Sequence, residues 1–328
     1  MNDNKIKKVI IDTDMLIDDW MAILYLLNNQ DIDVIGISVT GTGGCYLNPG
    51  SRNALALLKI LGQDYKIPVV AGAEQPLIYS NVYPQDVRKN AAFFMNIDIP
   101  SSDAPLTDKP VIDFYIDLLK AQTAPIYILS IGGGTNLGWL LESPKFNDEV
   151  KSKISQIVVM AGAVDVPGNL GDLTSDYSFN AVAEWNVFVD VKGMSHIFQS
   201  GLPILLLPLD ACNQVILDEA FIDEFESKTE GVAASYVLRM LKKYIGSGQN
   251  FPVFDPLAAC VLANINSSKL TGLVAIEKIC LSINQNMIVS GNPDYAGQLK
   301  RNSEAKEIDI CTKADKNIFT EIFISAFA

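Results

Sequence analysis

A single histidine, five scattered cysteines and no basic run longer than two residues narrow the chemistry of this 328-residue chain before any motif is read. A zinc centre built on histidines is excluded, and a Ser-His-Asp triad has only His196 to draw on. That residue lies inside the helical pattern Met194-Ser195-His196-Ile197-Phe198 and reads as a helix-surface histidine. Cys45, Cys212, Cys260, Cys280 and Cys311 form no CxxC pair, so reduced thiols in a cytoplasmic protein are expected. Cys260 and Cys280 read as small buried hydrophobes. The net charge is −13, and basic pairs such as Lys7-Lys8 and Lys242-Lys243 make no footprint for a phosphate backbone. Nucleic-acid polymers and anionic membrane surfaces are therefore poor partners. No apolar run is long enough to span a bilayer, and the stretch 202–209 is broken by two prolines. The N-terminus reaches Asp12 before an apolar leader segment could form, so no secretory signal is expected.

What the chain does have is apolar mass and one dense group of acids. Hydrophobic residues make up 49% of the sequence, enough for a large core and against disorder. Asp12-Thr13-Asp14-Met15-Leu16-Ile17-Asp18-Asp19 sets four carboxylates into eight residues, directly behind the apolar run Val9-Ile10-Ile11. Asp18 or Asp19 could serve as an ordinary helix cap. Capping uses one or two acids, however, and leaves the others repelling. No Lys or Arg lies between Lys8 and Arg52, so a bound cation is the expected partner. Oxygen-only ligation points to Ca²⁺ or Mg²⁺ rather than zinc.

Strand-like and helical patterns alternate along the chain. Residues 6–11, 32–39, 67–71, 126–130, 154–160 and 204–208 read as buried strands, and 20–27, 53–61, 111–121 and 137–141 as helical. This is the pattern of a largely parallel sheet wrapped by helices. The acids fall on the first strand-to-helix turn, where open α/β sheets bind ligands. Beyond residue 215 the pattern turns helical over 218–226, 232–245 and 256–263, before a strand at 306–311 and a helix at 316–326. The polar segment 79–108 reads as a lid or rim loop. No linker or repeat divides the chain, so a single domain over 1–328 is expected.

Further polar clusters follow strands, as a site at the carboxyl edge of a sheet requires. They are Gly132-Gly133-Gly134-Thr135-Asn136, the segment 160–169, Glu184-Trp185-Asn186, and Asp255-Pro256 at a helix start. Carboxylates, amides, one cation and aromatics suit a small polyhydroxylated ligand with a flat apolar part. The glycine runs at 41–44 and 131–134 lack the Lys and Ser/Thr of a P-loop, and the surrounding acids would repel phosphate.

Taken together these segments resemble the inosine-uridine-preferring nucleoside hydrolase family. The likeness starts at the Asp-x-Asp-x-x-x-Asp-Asp motif of residues 12–19. It continues through Gly134-Thr135-Asn136-Leu137, Met160-Ala161-Gly162-Ala163 with Gly168-Asn169, Ala183-Glu184-Trp185-Asn186, and Asp255-Pro256-Leu257-Ala258, in family order. The resemblance implies a mostly parallel, Rossmann-like mixed sheet flanked by helices, with a helical C-terminal part. It also implies a Ca²⁺-dependent enzyme that hydrolyses the N-glycosidic bond of ribonucleosides, with a Ca²⁺-bound water activated by Asp14. By the same likeness Asp14, Asp19, Asp255 and the Thr135 carbonyl would ligate Ca²⁺. Asp18, Asn169, Glu184 and Asn186 would hold sugar hydroxyls, and Met160 would pack on the ring. The implied partner is a small ribonucleoside, and a homo-oligomer (dimer or tetramer) is expected.

Two departures from the family pattern stand out. Gly44 replaces an Asn that contacts ribose in many members, and Phe254 replaces the histidine that precedes the Asp of Asp-Pro-Leu-Ala. Base departure is then expected to rely on aromatic packing by Phe254, Trp185 and possible helpers Tyr244 and Phe251, or on another acid. Two rival readings stay open: a nucleoside- or ribose-binding protein with a degenerate site, and a haloacid-dehalogenase-like phosphatase using Asp12 as nucleophile.

Overall fold

The computed structural model describes residues 6–78, 81–174, 176, 179–245, 251–286 and 295–328. Its strands are β1 (Lys7–Thr13), β2 (Ile32–Val39), β3 (Val69–Ala71), β4 (Ile126–Ile131), β5 (Ile154–Met160), β6 (Ile204–Leu207), β7 (Ile216–Leu217), β8 (Phe251–Pro252), β9 (Val274–Ile283), β10 (Leu299–Arg301) and β11 (Glu307–Ala314). Nine of them form one sheet in the order β10-β9-β11-β6-β5-β4-β1-β2-β3. From β3 to β11 all neighbours run parallel, whereas β9 pairs antiparallel with both β11 and β10. The fold is thus an α/β sheet, mostly parallel and flanked by helices, as the alternation predicts.

The chain leaves β1 toward β2 and β3 on one side and takes up β4, β5 and β6 on the other. The crevice between β1 and β4 is therefore the topological switch point, where open sheets bind ligands. Asp12 pairs with Ser130 and Thr13 with Ile131, so the acid segment and the glycine-rich turn after β4 leave the sheet side by side.

Both faces of the sheet are covered, which explains why its strands read as unbroken apolar runs. Val9 and Ile11 join the core formed by the helices Ile17–Asn28, Asp255–Ala263 and Lys316–Ser325. Ile10 points the other way, toward Val111–Lys120 and Val191–Gln199. Every residue of Asp255–Ala263 is buried, and this helix packs on Ile17–Asn28, β4 and β5. That contact carries Asp255 to the first acid segment.

Two expectations need correction. The C-terminal third is not simply helical, because β9 and β10 form an antiparallel extension of the sheet. β9 alternates too weakly between exposed and buried residues to stand out in the sequence. The segment 79–108, of which Tyr79 and Ser80 lie outside the described residues, is no open rim loop. It carries the helix Gln85–Ala92 and the buried residues Tyr83, Ala91, Phe94 and Ala104. Asn53 Nδ2 donates to the Ala91 carbonyl at 3.0 Å, and the Arg52 guanidinium to the Ala104 carbonyl at 3.0 Å.

Candidate active site

The acid segment is held by hydrogen bonds that its own side chains supply. Thr13 Oγ1 donates to Asp19 Oδ1 and accepts from the Met15 N–H at 3.0 Å. Asp19 Oδ2 accepts from the Leu16 N–H at 2.9 Å, so this acid caps the helix Ile17–Asn28 while lying in the cluster. Asp14 Oδ2 accepts from the Gly44 N–H at 2.8 Å. A Cβ on Gly43 would sit 1.8 Å from that same oxygen, so only glycine lets the loop lie against Asp14. A Cβ on Gly44 would meet Leu16 Cγ at 2.0 Å. Leu16 thus fills the room an asparagine at position 44 would need, which accounts for that departure.

Among the described residues, Asp18, Asp19 and Asp255 bring ligand oxygens within 4.8 Å of one another. Asp14, Asp19 and Asp255 are almost fully buried, while Asp18 is half-buried. Burial pushes the Asp18 carboxyl up to about 7, with the Asp14 charge adding to the shift. Burial also raises Asp19 and Asp255 well above the usual carboxylate range, and the neighbouring acids raise them further. Asp14 is raised as well, by burial, against the lowering pull of its bond to Gly44. Such a group must either hold protons or hold a cation. Its oxygen-only, convergent donors fit a hard divalent ion.

Around this centre the other expected residues take distinct places. Thr135 is fully buried at the start of the helix Thr135–Glu142, and its hydroxyl lies 3.0 Å from Thr42 Oγ1. Glu184 Oε1 accepts from the Asn186 N–H and Oε2 from the Gly162 N–H, both at 2.8 Å, which ties the ends of β5 and the helix Trp185–Val189 together. Burial lifts its carboxyl to about 7. Asn186 Nδ2 donates to the Met160 carbonyl at 3.0 Å, and Asn169 Oδ1 accepts from the Trp185 N–H at 3.2 Å. Phe254 is half-buried directly before Asp255, and the Tyr244 and Phe251 rings, which precede it in the chain, meet at a tilt of 43° with centroids 5.0 Å apart. Trp185 is narrower in role than expected: it is 2% exposed and one face is covered by Tyr83 at 4.3 Å. His196 lies 2.8 Å from Glu142 across two packed helices, as a surface pair.

Two residues of the site, Arg88 and Asp190, carry no signal in the sequence. Arg88, from the helix Gln85–Ala92, donates to the Gly41 carbonyl at 2.5 Å and the Cys45 carbonyl at 3.1 Å, and its charge favours ionised Asp14. The acids are therefore not without a cationic side chain, but it arrives from a distant helix. Asp190 accepts from the Leu77 and Gly193 N–H groups and holds the Thr135 side chain. Asp12 is fully buried, and its Oδ1 accepts from Ser38 Oγ at 2.7 Å and Asn136 Nδ2 at 2.8 Å. These two bonds tie Asp12 to β2 and to the helix Thr135–Glu142.

With this geometry in view, comparison with known proteins is specific. A family model described as inosine-uridine preferring nucleoside hydrolase matches residues 9–321. A probable uridine nucleosidase from Arabidopsis thaliana is 30% identical over 245 residues, spanning 73% of this chain and 70% of that protein. A plant nucleoside hydrolase superposes with a TM-score of 0.81 at 21% identity, covering 98% of this chain and 99% of the other. An inosine-uridine preferring nucleoside hydrolase from Bacillus anthracis gives 0.78 at 20% identity, covering 98% of each chain.

Proposed function

The chain belongs to the inosine-uridine preferring nucleoside hydrolase family, and from that premise we propose how it splits a ribonucleoside into free base and ribose. The convergence of Asp18, Asp19 and Asp255, drawn from two distant segments onto one point, carries the reading. The family is metal-dependent, and the proposed ion is Ca²⁺, held by Asp14, Asp19, Asp255 and the carbonyl of Thr135. Its tolerance of many oxygen ligands suits a site that also receives sugar hydroxyls. When bound, such an ion makes water more acidic and anchors vicinal hydroxyls.

Asp14 accepts a proton from the attacking water, whose oxygen forms the new bond to C1′. Asp18 accepts a hydrogen bond from a ribose hydroxyl. Asn169, Glu184 and Asn186 hold the remaining hydroxyls, and Met160 packs on the ring. The base leaves with the electron pair of the C1′–N bond and takes up a proton. The sugar gains oxocarbenium character as that bond lengthens, and the fixed carboxylates stabilise it. In this reading Trp185 acts by backing Tyr83 rather than by touching the base. The five free thiols suit the cytoplasm, and a dimer or tetramer is the proposed assembly.

The direct test incubates the chain with inosine, adenosine, guanosine, uridine and cytidine, and measures ribose. Release is expected with at least one of them, abolished by a chelator and restored by Ca²⁺. Tight nucleoside binding with no ribose from any would leave only the binding-protein alternative.

Phe254 bears on which bases leave well. An aromatic ring at this place can stack on a flat base but cannot protonate it. Phe254→Ala is expected to lower kcat/KM by about two- to tenfold, unequally among the five nucleosides. Equal rates for wild type and variant on all five would refute the stacking role.

A further inference from the structure

Two left-handed backbone sites outside glycine are joined by one side chain. Met15, in the middle of the acid segment, is left-handed with φ +64°. Phe94, Met95 and Asn96 form a consecutive left-handed turn with φ +50°, +50° and +64°. Side chains make this conformation unfavourable, so each such residue needs neighbours that enforce it. Trp20 lies between the two. Its buried Nε1–H donates to the Met15 carbonyl at 2.9 Å, and its ring meets the Phe94 ring edge-on at 4.9 Å.

The consequence for the acids is geometric. A left-handed residue after Asp14 turns the chain sharply out of β1, so that the helix Ile17–Asn28 begins at once. Asp18 and Asp19 then return beside Asp14. On the other side of Met15, Thr13 Oγ1 accepts its N–H and donates to Asp19. Met15 is thus clamped at its N–H by Thr13 and at its carbonyl by Trp20. Phe94 is mostly buried, and the left-handed turn that presents it belongs to the segment 79–108, which also carries Arg88.

We infer that Trp20 is a positioning residue of the metal site: its indole N–H locks Met15 in the left-handed backbone, and the 94–96 turn seats Phe94 to hold the indole in place. The inference rests on the proposed metal reading and extends it to residues that touch neither metal nor substrate.

Calorimetric titration of the purified full chain with Ca²⁺ alone tests it, alongside thermal unfolding. Trp20→Phe keeps an aromatic ring beside Phe94, removes the N–H donor and shrinks the ring, and the unfolding measurement reads the cost of the lost volume. The substitution is expected to weaken Ca²⁺ binding about tenfold, because the strain of a left-handed non-glycine residue is then no longer held in place. In a Met15→Gly background the same change is expected to cost less than about threefold, because glycine takes this backbone without help. A Kd unchanged by Trp20→Phe, whatever happens to Tm, overturns the inference. So does a full tenfold loss that persists in the glycine background. If Trp20→Phe does not fold, Phe94→Leu, which removes the ring seating the indole, must weaken Ca²⁺ binding or the inference falls. Wild type that binds no Ca²⁺ would bring down the metal assignment as well, which separates the two failures.

Discussion

Asp14→Asn is expected to lower kcat for base release by about 10³- to 10⁴-fold at saturating Ca²⁺, the range for removing a general base beside a metal. The substitution is conservative for the fold. The amide oxygen still accepts from the Gly44 N–H, which now meets Asp14 Oδ2 at 2.8 Å. The other oxygen becomes an NH₂ group, which can neither take a proton nor ligate a cation. Stability without metal is expected to hold or rise, because a buried acid among other acids is removed. Ribose release and thermal unfolding on the same sample separate the two effects. A loss of less than about tenfold would take Asp14 out of the proton-transfer role.

The second large effect is a pH-dependent stabilisation by Ca²⁺. Asp18, at about 7, and Asp19 and Asp255, both raised by burial and by neighbouring acids, bind protons more tightly folded than unfolded, where an aspartate titrates near 3.8. The folded state therefore holds more protons above pH 4. Stability of the metal-free protein should fall as pH rises from about 4 through 7. A divalent ion replaces those protons, so its benefit grows over the same interval. At a Ca²⁺ concentration about 1,000 times Kd the gain is about 4 kcal/mol, or roughly 8–12 °C in Tm, near pH 7.5. Near pH 5 it should be much smaller, and binding near neutrality should release protons into a weak buffer. A Tm gain equal at both pH values would mean that Ca²⁺ binds away from these acids.

Much of the fold was readable because its signals are local. β5 spans the stretch its apolar pattern predicts, and β2 does too. The acids of residues 12–19 and the later polar clusters announced themselves by density and by their place after strands. What sequence could not show were contacts that depend on chain crossings. Arg88 looks like any exposed arginine on a polar helix, yet folding sets its guanidinium on the Gly41 and Cys45 carbonyls. Tyr83 lies in an irregular segment with no periodicity to mark it as a partner of Trp185. Trp20 reads as one more apolar residue of its helix, because a hydrogen bond from an indole to a strained carbonyl leaves no trace in spacing. β9 was missed for a related reason: several of its residues are exposed, so it lacks the solid apolar run of a central strand.

The nine-stranded sheet ends on either side in a strand of only three residues, β3 and β10. The outer side of β3 is further engaged by the Thr107 N–H, which donates to the Val69 carbonyl at 2.8 Å. At the β3 margin little unpaired backbone is left to template another chain, the arrangement by which β-rich proteins resist runaway self-association, whereas at the other margin β10 pairs only with Leu281–Ile283 of the ten-residue β9. On the stretch of β9 that β10 does not reach, the exposed charges of Glu277 and Lys278 take over that protective task, since charged side chains on an edge discourage a foreign strand from adding to it.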